Sequence, residues 1–396
     1  MFIREKYLDQ LLNSQENSTV KILVGVRRSG KTTLLDQFRA TLRRQEVAAN
    51  QIQVINFEYL QDNHLCEPKY LLQFIVDRLS KQQMNYLFLD EVEIVPDFAK
   101  VVHALNSLPN TDIYLSSSNL TIFDGDSLEI MDKTTIIPVF PCSYREYLKR
   151  NQQPADSQTL YQYLNTGGFP YTHEIHGTEN LINYVNDVIN TIIISDFTQQ
   201  STLCNPGLTK QLALHLAHHA GTTQNITQIV AGLKGHNITT SNKTVDFYMQ
   251  FLQTALIFYP CKEYDFTRHR VKSTNIKYYP VDASIRLALT LRKNVLSQRI
   301  LENIIFIDLL SQGYEVYSGQ VKDDEITFVA VKDGQFTCIQ VAYSLADDAS
   351  YRKAIAGLSQ LSAKYNKTLI TVRPAQNYAD LDPQIRVVDL YSWLTN

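Results

Sequence analysis

The sequence predicts an α/β protein: a parallel sheet covered on both faces, then a mainly helical stretch, then a second, smaller α/β region. Three observations predict it. Over the first 150 residues, apolar strand-length runs alternate with amphipathic helix-length runs, the order that builds a parallel sheet with helices on its faces. A glycine-bearing segment ending in Lys31-Thr32 falls between the first such strand and the first such helix. The periodicity then changes near residues 150 and 290, and 396 residues are too many for one core. The expected organisation is therefore 1–150, 151–290 and 291–396.

In order along the chain, VKILVGV from Val20 to Val26 reads as a short buried strand, apolar and β-branched. Thr32–Arg44 sets Leu34, Leu35, Phe38 and Leu42 on one helical face. Further strands are expected at Gln53–Phe57, Tyr86–Leu89, Asp112–Leu115 and Thr135–Val139, with helices at Tyr70–Leu79 and Phe98–Leu108. The polar stretch NQQPADSQ closes this region. Helices at Leu208–Ala220, Ile226–Leu233 and Lys243–Ile257 follow, then strands at Phe258–Tyr264 and Lys277–Val281, an order shared with winged helices. The last hundred residues predict a helix at Arg299–Gln312 and strands at Glu315–Tyr317, Glu325–Val331 and Gln335–Ala342. A helix at Tyr351–Tyr365 and a strand at Thr368–Val372 complete them.

Composition narrows the classes. The chain is 44% hydrophobic and 19% charged, with a formal net charge of −3, so no overall positive field draws it onto nucleic acid and any such surface is local. Five scattered cysteines without a CxxC pair argue against a disulfide framework or a zinc site. The charged N-terminus MFIREKYLDQ lacks the apolar run of a signal peptide, and no apolar stretch is long enough to span a bilayer. A cytoplasmic protein without a membrane partner is expected.

Gly25-Val-Arg-Arg-Ser-Gly-Lys-Thr32 satisfies GxxxxGK[ST] at every fixed position, and chance matches in a chain this long are on the order of one per cent. In such a P-loop, backbone N–H groups curl around phosphates and the following helix N-terminus adds positive potential. Gly25, Arg28, Ser29, Gly30, Lys31, Thr32 and Thr33 are the candidate nucleotide-binding residues, with Lys31 on the β- and γ-phosphates and the Thr32 hydroxyl on Mg2+. Downstream, Tyr86-Leu-Phe-Leu-Asp90-Glu91 is an apolar strand ending in two acids, expected beside the P-loop strand. Asp90 there reaches the metal shell, and Glu91 polarises the attacking water. A third strand ends in Ser116-Ser-Ser-Asn119. Asn119, or after it Ser116, is a candidate sensor of the γ-phosphate, against the plain reading of a solvated turn. The candidate cofactors are ATP and Mg2+.

With these residues in hand, the chain resembles a prokaryotic family of AAA-type ATPases in which an AAA domain is fused to a winged helix and a C-terminal domain (the DUF4143 group). The resemblance runs through GVRRSGKTTLL, YLFLDEVEIVPDFAKVV, DIYLSSSN, FPCSYREYL, LNTGGFP, LENIIFIDLLSQGYEVY and IQVAYSL. It implies a P-loop NTPase (AAA-like) parallel sheet followed by a helical winged-helix domain and a small restriction-endonuclease-like α/β domain. Family members commonly carry a Gly-Arg pair where this chain has Met131-Asp132-Lys133. Lys133 keeps the charge but not the bidentate fork of an arginine. In the nuclease-like region Glu302 stands for the helix acid, Thr327 where a metal-binding Asp belongs, and Gln340-Val-Ala342 where acid-x-Lys belongs. Without those ligands the expectation is a degenerate, non-cleaving fold.

Two further clusters stand out. Lys243 opens the third helix of the expected winged helix, and Arg268, Arg270 and Lys272 alternate as if on one strand face, suited to the phosphates of duplex DNA. The plain alternative is a charged hairpin edge. His215 and His219 have metal-clamp spacing but no carboxylate or cysteine nearby, so an ordinary polar helix is preferred. Arg4 is a candidate to reach the nucleotide from the N-terminal segment. The expected function is Mg-ATP hydrolysis coupled to a conformational switch. The alternative is a DNA- or partner-binding module in which ATP is a slowly turned-over structural ligand. Duplex DNA, a protein partner and a second copy of the chain are the candidate macromolecular partners.

Overall fold

A computed structural model describes residues 2–59, 64–120, 134–196, 205–345, 348–372 and 382–395. Met131-Asp132-Lys133 lies outside the described residues. The chain forms two compact units, one of Met1–Phe140 with Thr254–Leu256 and one of Pro141–Gln253 with Ile257–Asn396.

The first unit runs α1 (Glu5–Asn13), β1 (Val20–Val24), α2 (Lys31–Arg44), β2 (Ile52–Asn56), α3 (Pro68–Val76), β3 (Asn85–Asp90), α4 (Phe98–Asn106), β4 (Thr111–Ser117) and β5 (Thr134–Pro138). All five strands are parallel, in the order β2-β3-β4-β1-β5. The alternation of side chains divides the core. Tyr86 and Phe88 join Leu34, Leu35 and Phe38 of α2 with Tyr7 and Leu11 of α1, while Leu87 and Leu89 are buried on the opposite face. Phe88 stacks on Tyr114 with centroids 5.0 Å apart. Within this apolar sheet Lys21 is fully buried, and its ammonium is bonded to Asp112, which also accepts the Tyr114 hydroxyl at 2.7 Å. A buried ion pair of this kind persists because its remaining acceptor is satisfied as well.

The expectation that the Asp90 strand lies beside the P-loop strand is corrected here, because β4 lies between β3 and β1. Asp90 still reaches the start of α2. The intervening strand ends in Ser116 and Ser117, whose small side chains leave room for it, and the Ser116 hydroxyl donates to Asp90.

The second unit begins with α5 (Tyr144–Asn151), α6 (Ser157–Thr166), α7 (Thr178–Thr191) and α8 (Pro206–His218). The start of α5 is written locally: Ser143 Oγ accepts from Glu146 N at 3.3 Å, and Glu146 Oε2 accepts from Ser143 N at 2.9 Å, a capping box. Next come β6 (Thr223–Gln224), α9 (Ile226–Gly235), α10 (Asn242–Thr254), β7 (Phe258–Asp265), β8 (Arg270–Pro280) and α11 (Ala283–Thr290). The chain ends with α12 (Gln298–Ser311), β9 (Glu315–Val321), β10 (Asp324–Lys332), β11 (Gln335–Ala342), α13 (Asp348–Ser359), β12 (Asn366–Thr371), β13 (Ile385–Asp389) and α14 (Leu390–Thr395).

One mixed sheet, β13-β12-β11-β10-β9-β7-β8-β6, crosses residue 290 without a break, because β7 pairs in parallel with β9. The hairpin edge thus finds a strand partner in the C-terminal segment. Leu301, Ile305 and Phe306 of α12 pack with Phe328 and Ile339, while Leu358 of α13 packs with Ile326, Val329 and Leu369. Register slips between Ile326 and Val329, a bulge that interrupts the two-residue alternation of faces in β10. Among the described residues no helix is long and apolar enough to cross a membrane.

Candidate functional site

The loop between β1 and α2 is shaped by two glycines. A Cβ on Gly25 would lie 2.1 Å from the Val139 carbonyl oxygen, so no side chain fits. Gly30 holds φ 101°, a left-handed turn that delivers the chain into α2. Arg28 is also left-handed, at φ 65°, and its side chain is exposed. The first turn of α2 leaves the N–H groups of Lys31, Thr32 and Thr33 without intrahelical acceptors, and the helix dipole adds positive potential there. Ser29 is fully buried, and its Oγ has no hydrogen-bond partner. Together these make an anion cradle.

Lys31 is buried and already engaged. Its Nζ donates to Gly25 O at 3.0 Å and Ser118 Oγ at 2.8 Å, and it stands 3.5 Å from Glu91 Oε1. Thr32 Oγ1 donates to Asp90 Oδ2 at 2.7 Å, and Asn56 Nδ2 donates to the same oxygen at 2.9 Å. Burial raises the Asp90 carboxyl above its ordinary range, opposed by the Ser116 and Thr32 hydroxyls. Glu91 sits at φ 57°, a left-handed conformation rare for a residue with a side chain. Ser116 Oγ accepts its N–H at 3.0 Å, and Ser118 Oγ donates to its Oε1 at 2.9 Å. Burial acts to raise Glu91, but the Lys31 charge and hydrogen bonds from Glu93 and Ser118 outweigh it, so Glu91 lies below the usual range. It is an anion at neutral pH.

The structure therefore brings Lys31, Thr32, Asp90 and Glu91 together. Asn119 is buried, and its backbone exchanges hydrogen bonds with Ser117 Oγ at 2.9 and 3.3 Å. At this strand end, the hydroxyls that touch the charged groups belong to Ser116 and Ser118. Ser118, Glu93 and Asn56 were not singled out from sequence. Their only sequence signal is position, at or just past the carboxyl end of a strand. Arg4 is buried, and its Nη1 donates to Ser29 O at 3.3 Å and to Phe140 O at 2.8 Å, so it braces the loop from its backbone side. Arg27 Nη2 stands 3.2 Å from Glu58 Oε1.

The second unit holds the other candidates. Lys243 is exposed in the first turn of α10. Arg268 lies in the turn before β8, so only Arg270 and Lys272 alternate on the strand, which corrects the expected single face. Arg268 and Arg270 are exposed. Lys272 is bound by Glu263 at 2.5 Å and Asp265 at 3.3 Å. His215 Nε2 lies 3.2 Å from Gln224 Oε1, and its ring stacks on His219 at 4.3 Å. Among the described residues no group of three metal-ligating side chains occurs. Glu302 takes hydrogen bonds from Gln298 at 2.8 Å and the Tyr279 hydroxyl at 3.3 Å. Thr327 Oγ1 accepts Val341 N at 3.2 Å, and Gln340 Oε1 accepts Thr327 N at 3.1 Å.

Comparison with known proteins agrees with the first unit's geometry. Residues 17–148 match the family model described as an AAA domain. Residues 157–296 match a domain of unknown function, DUF8612, rather than the DUF4143 region expected. An uncharacterized protein of Haemophilus influenzae is 30% identical over 401 residues, covering 100% of this chain and 98% of its own. An uncharacterized protein of Methanocaldococcus jannaschii is 24% identical, over 86% of this chain and 79% of its own. Among solved structures, a Walker-type ATPase of Pyrococcus abyssi shares the fold with a TM-score of 0.50 and 15% identity, over 73% of this chain and 96% of its own.

Proposed function

This chain belongs to one family with the full-length Haemophilus influenzae relative, and we propose that it binds Mg2+-ATP at the P-loop and hydrolyses it. The observation that carries the reading is the convergence of Lys31, Thr32, Asp90 and Glu91 on one cradle of backbone N–H groups. The residues present fit a hydrated divalent cation: Thr32 Oγ1 and Asp90 Oδ2 lie 2.7 Å apart at the N-terminus of α2 and would hold it. Bound Mg2+ offsets phosphate charge. Lys31, Arg28, Ser29 and the loop N–H groups bind the phosphates. As Lys31 turns its charge from Glu91 to a phosphate oxygen, the Glu91 carboxylate loses its cation and gains basicity. It then takes the proton of the attacking water at a carboxylate oxygen. Ser116, Ser118 and Asn119 fix the strand end that faces the γ-phosphate.

Hydrolysis resets a conformational switch. Its division of labour follows residues 1–150, 151–290 and 291–396, with a winged helix in the middle and a degenerate nuclease-like fold at the end. The order α8-β6-α9-α10-β7-β8, with β6 paired to β8, supports the winged-helix part. Trapped there between Gln340 and Val341 N, Thr327 supports the non-cleaving reading of the last segment. A cytoplasmic setting fits cysteines that are scattered and without a CxxC pair. The test is steady-state phosphate release by wild type and Lys31→Ala. Release unaltered by loss of Lys31 would defeat the proposal.

The exposed Arg268 and Arg270 favour a second reading, in which ATP is a slowly turned-over ligand of a DNA- or partner-binding module. Salt-sensitive DNA binding with negligible turnover would select it.

A further inference from the structure

Where the turn between β7 and β8 meets the starts of β11 and β12, the second unit holds a cavity of about 530 Å³, a size typical of ligand sites. Tyr264, Phe336 and Tyr365 line it. The ring centroids of Tyr264 and Phe336 are 5.6 Å apart, and those of Phe336 and Tyr365 are 6.0 Å apart. All three rings pack against the core cluster of Phe266, Cys338 and Leu369, yet each stays partly exposed. One ring at the edge of a core is ordinary. Three around one cavity make an aromatic wall.

The rest of the lining is polar, and none of the described residues in it is acidic. Gln335 and Asn366 offer side-chain amides, and both are exposed. Lys364 Nζ stands 4.9 Å from the Tyr365 ring centroid, so positive charge borders the aromatic surface. His269 also lines the cavity, left-handed at φ 48°, and exposed Arg268 and Arg270 flank it in the chain. Among the described residues no carboxylate pairs with Lys364, Arg268 or Arg270, whereas Lys272 on β8 is held by Glu263 and Asp265. Asp333, one residue before Gly334, is exposed and sets one negative charge against these three cations.

These features favour one ligand chemistry. Aromatic faces stack on flat rings, amides match the donors and acceptors of a ring edge, and unpaired cations hold phosphates. Within a duplex the base faces are stacked on one another, so a ring-lined cavity takes only bases that are unpaired. A single nucleotide would engage Lys364 and leave Arg268 and Arg270 idle, while a strand engages all three.

We propose that this groove binds single-stranded nucleic acid. Unpaired bases stack on Tyr264, Phe336 and Tyr365, Gln335 and Asn366 bond base edges, and Lys364, Arg268 and Arg270 follow the phosphates. The site goes beyond the duplex contact considered for Arg268 and Arg270, and it does not rest on ATP turnover.

The experiment uses the full chain without nucleotide. Fluorescence anisotropy compares labelled thymidine and uridine strands of about 20 residues, longer than the run of bases one such groove holds, with a duplex of equal length. At least one strand binds about 10-fold more tightly than the duplex, and a preference between them identifies the sugar. Tyr365→Leu keeps the apolar packing but weakens strand binding about 10-fold with the salt slope unchanged. Lys364→Ala lowers that slope by about 0.7. A strand carrying iodouracil, which photocrosslinks to aromatic side chains it touches, reads the site in wild type and needs no variant to fold. Attachment at Tyr264, Phe336 or Tyr365, located by peptide mass, is expected.

Failure of both strands to bind, or binding without attachment to a ring, overturns the proposal. So does a duplex bound as tightly as the strands, or folded Tyr365→Leu and Lys364→Ala proteins that bind as wild type does. Duplex binding that needs Arg268 and Arg270, with no attachment to the rings, keeps the charged edge and discards the groove. Because no readout involves turnover, a silent ATPase assay and a failed groove are separate results.

Discussion

Lys31 in the first unit and Lys277 in the second are both buried lysines beside carboxylates, and their surroundings differ in kind. Lys31 rises from a loop whose neighbours Arg28 and Gly30 are left-handed, and Glu91 opposite it is left-handed too. Two nearby oxygens, Ser29 Oγ and Glu93 Oε2, are buried without a donor. Lys277 follows an irregularity of its own, where Asn275 is left-handed and the pairing of β8 with β7 shifts register, but its ammonium is bonded to Glu325 and its charge compensated by buried Glu302. Glu302 in turn takes hydrogen bonds from Gln298 and Tyr279. The first arrangement is strained and incompletely satisfied, as sites that await a ligand are. The second is closed upon itself. Left-handed backbone occurs beside both clusters, so it is the unmet polar atoms that separate them.

The comparison breaks most visibly if the first cluster proves dispensable. Asp90→Asn is expected to reduce turnover by about 1,000-fold, with a raised Mg2+ requirement in a metal titration. Near-normal rates at ordinary Mg2+ would make Asp90 a structural residue. Lys277→Met tests the other side. It leaves Glu302 buried without its compensating charge, and a loss of about 2 kcal/mol in denaturant melts is expected, with kcat unchanged. A drop in turnover matched to no loss of stability would reopen the second cluster as functional. Smaller again is the effect of Arg268→Ala with Arg270→Ala. The salt slope of duplex DNA binding should fall by about two, and an unaltered slope would leave the hairpin as a charged edge.

The smallest effect concerns pH. Burial, with Arg150 nearby, lowers the His173 pKa to about 4. Folding therefore favours the neutral ring. That part of the stability is present above the ordinary histidine range and is lost as pH falls toward about 4. His173→Gln should flatten the decline in thermal stability over that window, and an unchanged profile would show that the loss arises elsewhere.

Much of this contrast was legible in the sequence on one side and little on the other. The P-loop could be read because its chemistry is local: Gly25, Gly30, Lys31 and Thr32 lie within eight consecutive residues, between an apolar strand and an amphipathic helix. The place of β4 between β3 and β1 could not, since strand order depends on pairing between distant segments. Ser118 and Glu93 acquire their roles only when the ends of β3 and β4 are set side by side. Lys277 opens the strand expected at Lys277–Val281 with no local sign of burial, yet β8 dips into the sheet there and buries it. The slip at Ile326–Val329 interrupts the alternation of faces in β10, and no residue in that stretch announces a bulge.

Glu91 is the residue proposed to turn a nucleotide-binding cradle into a hydrolase. Steady-state phosphate release from wild type, Lys31→Ala and Glu91→Gln, with and without duplex DNA, tests it most directly when paired with a nucleotide-binding titration. Turnover is expected in wild type and none in Lys31→Ala. For Glu91→Gln, retained ATP binding is expected with kcat lowered by about 100- to 10,000-fold. Tight ATP binding with no turnover in wild type, or full turnover in Glu91→Gln, would contradict this role of Glu91.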